Sequence, residues 1–131
     1  MRRVTWRRSV SFVIVVAAVS ALLLTNHSEG APAGVVSGEI VETFCWAKLQ
    51  VGGAAHASCG IQCAKRGIPV AVFDKTSRQS YVLLPGRDRM SVPPELVAMM
   101  GRQAIITGEI ITRGGNNFLL VESWKPARAS R

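Results

Sequence analysis

The sequence predicts a mainly β domain in which five short strands close into a small barrel. Three observations carry that reading. Five apolar, β-branched-rich runs recur over residues 34–125, each bounded by turn residues. Two helical patterns interrupt them, one after the first run and one after the third. "VSGEIVE" at Val36–Glu42 is also echoed by "ITGEIIT" at Ile106–Thr112, with glycine and glutamate aligned. Small barrels need a glycine or a bulge where long strands turn a corner, so Gly38 and Gly108 are assigned to such bends.

The elements follow in order. "VVSGEIVETFC" alternates loosely, and Val35–Cys45 is expected as the first strand. "GGAAHASCGIQCAKRGIP" then changes character. It is alanine-rich, with Lys65 and Arg66 in a last helical turn, Gly67 just past the end and Pro69 beyond. A short helix over Ala54–Arg66 is expected, although Gly60 in its middle costs about 1 kcal/mol relative to alanine. "PVAVFD" and "SYVLLP", joined by the polar "KTSRQ", form a hairpin pattern. Pro93–Pro94 opens a second short helix, Glu95 suits its first turn and Gly101 its stop. "QAIITGEIIT" and "NFLLVESW" flank "RGGN" as a second hairpin. Residues 126–131 are expected to form a disordered basic tail. Strand, helical insert, strand, strand, short helix, strand, strand is the order of an OB-like barrel, here with the insert between strands 1 and 2.

Ahead of this domain, "MRRVTWRRSV" carries four arginines and no acid, and Val10–Leu24 runs without a charge. That pairing predicts an export signal or an N-terminal membrane anchor plus spacer over residues 1–33. As a helix, Val10–Leu24 would span about 22 Å, short of a bilayer core of about 30 Å, so cleaved and retained forms both stay open. The domain is expected on the outer side of the membrane, periplasmic or extracellular. It is soluble there after cleavage or tethered to the membrane by the N-terminal helix.

The 131 residues hold 16 basic and eight acidic side chains, a formal charge of +8. Four of those bases and one acid lie in residues 1–33, which leaves twelve against seven. Much of the basicity is therefore targeting signal, and no nucleic acid is expected as partner. The remaining chain buries one modest core and gains from a covalent or metal staple.

All three cysteines and one of the two histidines fall between Cys45 and Cys63. On a helix, His56, Cys59 and Cys63 lie within a sector of about 60°. With Cys45 at the end of the preceding strand, four donors of Cys₃His type can converge, a set that suits Zn²⁺ or Cu(I). The competing arrangement is a disulfide from Cys45 to Cys59 or to Cys63, leaving one free thiol. A Cys59–Cys63 bond is disfavoured, because Cβ atoms at i and i+4 sit about 6 Å apart on a helix and a disulfide needs about 3.8 Å. No acid lies close to His56 in sequence to orient a thiol–imidazole pair, and the C-x₂-C of a thiol-exchange centre is missing. Binding is thus favoured over catalysis. Met90, Met99 and Met100 are soft donors too, but Met99 and Met100 end a short helix and read as core. Trp46 and Trp124 read as barrel packing, and His27 belongs to the leader or its spacer.

"GEIVETFCWAK", then a histidine two residues before "CGIQC", then "AKRGIPVAV" resembles a group of small exported bacterial proteins whose function is not established. The resemblance spans about Gly38 to Val72. It implies that Cys45, His56, Cys59 and Cys63 act as one set, and it names no reaction. The expected role is an exported domain that coordinates Zn or Cu(I), either structurally or to handle the metal. The alternative is a disulfide-braced module that contacts an envelope protein.

Overall fold

A computed structural model describes residues 33–128. The expected leader or anchor, the spacer and the last three residues lie outside the described residues. Among the described residues, no helix is long and apolar enough to cross a membrane.

Five strands form one mixed sheet that closes on itself: β1 (Ala33–Glu42), β2 (Val70–Asp74), β3 (Gln79–Leu84), β4 (Gln103–Arg113) and β5 (Asn116–Pro126). The order round the ring is β1-β2-β3-β5-β4, and β4 returns to β1. Every pairing is antiparallel except β3 with β5, which runs parallel from Val82↔Phe118 to Leu84↔Leu120.

Closure depends on β1 serving two partners. Its first part pairs with β4, from Ala33↔Glu109 to Glu39↔Gln103, and its last part with β2, from Glu39↔Phe73 to Glu42↔Val70. Gly38 sits where the strand changes partner, and a Cβ there would strike the Phe73 carbonyl. Gly108 follows the register shift in the β4–β5 ladder, with the Leu120 carbonyl in the place of its missing Cβ. Both echoed glycines therefore stand where backbone crosses backbone at close range, as expected of corner positions.

The connections follow their local chemistry. Between β2 and β3, the Asp74 carboxylate accepts the Thr76 N–H at 2.8 Å and the Ser77 hydroxyl at 2.7 Å. These bonds hold its pKa below the ordinary 3.8. Gly114 and Gly115, both at positive φ, make the two-residue turn between β4 and β5. Helix α2 (Pro94–Val97) lies between β3 and β4 and sends fully buried Leu96 into the core beside Ile40, Val72, Ile106 and Leu119. Met99 and Met100 follow it inside, which makes them core residues.

Three expectations need correction. The first strand stops at Glu42, and Cys45 opens a separate wide helical turn, Cys45–Leu49. The insert helix is composite: a 3₁₀ turn, Ala54–His56, runs into α1 (Ala57–Lys65). The last strand runs through Pro126, and the Ala127 N–H bonds the Gln103 carbonyl at 3.0 Å, so the ordered domain reaches past residue 125.

Candidate metal centre

The centre lies where β1 leaves the sheet. Glu42 is the last residue of β1, and its carboxylate captures two backbone donors of the chain that follows. Oε2 accepts the Phe44 N–H at 3.0 Å and Oε1 accepts the Cys45 N–H at 2.6 Å. A side-chain acceptor that takes the free N–H groups of a helical start stabilises that start. Glu42 thus converts extended chain into the Cys45–Leu49 turn and sets the Cys45 side chain beside its own carboxylate. Both residues are buried.

From the other side comes α1. Its inner face is made of small and apolar residues: Ala57, Ile61 and Ala64 pack on the core, and Gly60 is buried. A Cβ on Gly60 would lie 2.7 Å from Met100 Cγ and 3.0 Å from its sulfur. The residue read as a weak point in the helix is thus what lets the helix come close to the barrel. This approach brings Cys59, exposed, and Cys63, half-buried, over Cys45. The three sulfurs lie within 4.8 Å of one another, and all three thiols are free. The disulfide that competed in the sequence reading is not formed.

His56 stands differently. Its donor atom lies within 4.8 Å of those of Glu42 and Cys45, so it shares Cys45 with the sulfur cluster from a second group. The constant helical arc expected from His56 to Cys63 breaks at the histidine. His56 ends the 3₁₀ turn with φ −95° and ψ −3° as the first cap of α1, so α-helical spacing does not extend back to it. Its Nε2 is 4.0 Å from Glu42 Oε1 and is buried without a hydrogen-bond partner in the protein.

The acid that sequence inspection found missing beside His56 is therefore Glu42, delivered from the end of β1. An available signal was its place three residues before Cys45 in "ETFC", where a carboxylate can reach back-turned N–H groups.

The electrostatics follow from this geometry. The Cys45 thiol is pushed up from 9.0 to about 12, first by its hydrogen bond to the Glu42 carboxylate, then by burial, then by the carboxylate charge and the neighbouring sulfurs. The Cys63 thiol is also raised, chiefly by burial and then by Cys59. Both thiols are thus held protonated until something more attractive than a proton arrives, and a soft cation is such a thing. Thiolate and imidazole donors suit Zn²⁺ and Cu(I), and the carboxylate adds a donor Zn²⁺ accepts.

No family model matches the chain, and neither curated proteins nor solved structures give a match.

Proposed function

We propose that this protein is a small exported binding domain of OB type that holds a soft metal ion, Zn²⁺ or Cu(I), on Cys45, Cys59 and Cys63, with His56 as the fourth donor. The observation that carries the reading is the convergence of three unbonded sulfurs to within 4.8 Å. Around a tetrahedral Zn²⁺ with Zn–S bonds of about 2.3 Å, sulfurs are about 3.8 Å apart. The three therefore need at most about 1 Å of inward movement to share an ion. His56 joins the set through Cys45, and its buried, unsatisfied Nε2 suits a metal bond. The exposure of Cys59 supports a metal-handling role over a sealed structural one, because an ion there can be reached from solvent.

The OB-type reading is supported by the ring order β1-β2-β3-β5-β4, the parallel β3–β5 pair and the helix between β3 and β4. Export rests on residues 1–33 and is tested by cell fractionation. The resemblance to small exported bacterial proteins is consistent with both.

Elemental analysis of protein purified from the outer compartment, with a thiol count, tests the metal reading. Bound Zn or Cu, and three titratable thiols after chelation, are expected. Protein without metal and with one titratable thiol would point instead to the disulfide-braced module. His56→Ala is expected to weaken metal binding by about 100-fold, as for loss of a supporting group or more. The same change should alter the stability of the metal-free protein by less than about 1 kcal/mol.

A further inference from the structure

Cys45 belongs to two donor groups at once. One is the sulfur cluster with Cys59 and Cys63, which opens to solvent; the other is the inner group with Glu42 and His56. An ion held by the sulfurs alone leaves three features of the inner group without a purpose.

The first is Glu42. It is 2% exposed, and among the described residues no lysine or arginine lies within ion-pair distance of it. Its one contact of that kind is His56, at 4.0 Å. Two backbone N–H groups and a thiol solvate the carboxylate, yet a buried carboxylate is ordinarily matched by a cation as well. The second is His56 Nε2, buried and unpartnered. A ring nitrogen in that state calls for an explanation, and a bound ion is one. The third is a partly open crevice of about 10 Å³, lined by Glu42 and His56 together with Ile40, Val51 and Met100. That is about the space of one water-sized particle.

We propose that the cluster takes two divalent soft ions bridged by the Cys45 thiolate: an outer ion on Cys45, Cys59 and Cys63, and an inner ion on Cys45, Glu42 and His56. The inference rests on the metal-binding reading above and extends it from one ion to two, with His56 a donor to the inner ion in place of the fourth donor to a single one. Charge supports it. Three thiolates and one carboxylate carry four negative charges, and two Zn²⁺ ions cancel them; one ion leaves two uncompensated in a half-buried cluster. The three thiol protons pass to the solvent on loading. Each ion keeps three protein donors, so each has a fourth position for water, and that of the outer ion can also take a thiol of an incoming carrier. The outer ion exchanges readily, and the inner one is shielded.

The test is a Zn²⁺ titration of the full-length, reduced, metal-free protein followed by native mass spectrometry. The expected mass is that of two Zn²⁺ per chain. Glu42→Gln, which removes the charge and keeps one of the two acceptor oxygens, and His56→Ala should each drop the count from two to one. Cys59→Ser should also leave one ion, now on the inner group. Circular dichroism confirms that each variant is folded, and His56→Ala carries the test if Glu42→Gln is not. One ion in the wild type overturns the two-ion inference and leaves the metal-binding reading standing; this is also the result expected if water fills the crevice. No ion at all overturns both.

Discussion

At Cys45 a thiol, a carboxylate and a change of secondary structure meet. The thiol was conspicuous in the sequence because only three exist and all fall in one segment. Its partner Glu42 was not, since an acid in a β-rich run reads as a solvent-facing residue until the fold closes over it. Their contact has a consequence for pH. The Cys45 pKa is raised in the folded protein from 9.0 to about 12. The folded state thus binds a proton that the unfolded state releases sooner. Its contribution to stability is present in full below 9.0 and is lost as pH rises toward about 12. Metal-free wild type should therefore lose more stability than Cys45→Ala between about pH 8 and about pH 11, as read from urea midpoints. Equal slopes in the two proteins would show that the thiol–carboxylate contact is absent in solution.

Among the elements, β4 and the insert helix show how little of a glycine's role is visible before packing is known. The echo of "SGEI" in "TGEI" located both corner glycines, and the structure places each against a carbonyl of a neighbouring strand. Gly108→Ala would push a methyl group into the Leu120 carbonyl, and backbone in a closed ring has no free direction in which to yield. A loss of about 3 kcal/mol is expected, at the upper end for overpacking, measured by chemical denaturation. A variant as stable as wild type would mean that the bulge can move along the ladder. Gly60 is the opposite lesson. By propensity it was a defect in the helix, and in three dimensions it is the contact point with Met100 that lowers Cys59 and Cys63 onto Cys45. The composite helix explains the other departure: a 3₁₀ turn ahead of α1 redirects His56 away from the arc that a uniform helix would trace.

For the whole molecule, an ion held at the cysteine cluster would act as a staple between two parts of a small domain. Cys45 lies three residues past the end of β1, whereas Cys59 and Cys63 belong to the insert helix, which packs on the core through Ala57, Ile61 and Ala64. An ion bound only in the folded state stabilises by mass action, about 2.7 kcal/mol at a hundredfold excess over its dissociation constant. For a domain of this size that corresponds to a rise in Tm of about 10–20 °C. Thermal unfolding of the Zn-loaded protein before and after chelation checks this. An unchanged Tm in protein known to have carried metal would place the ion on a surface that folding does not create.

What the sequence determined by itself was periodic or compositional: five strands from alternation, two hairpins from "KTSRQ" and "RGGN", a helical insert from its stop signals, and a thiol-rich segment from its spacing. These depend on neighbours along the chain, and local chemistry is enough to settle them. The inward lean of α1, the ending of β1 at Glu42, the pairing of His56 with that carboxylate and the sharing of Cys45 between two donor groups were decided only in the tertiary structure. Each of these depends on which residues from distant segments compete for the same few ångströms, and that competition does not exist until the ring has closed.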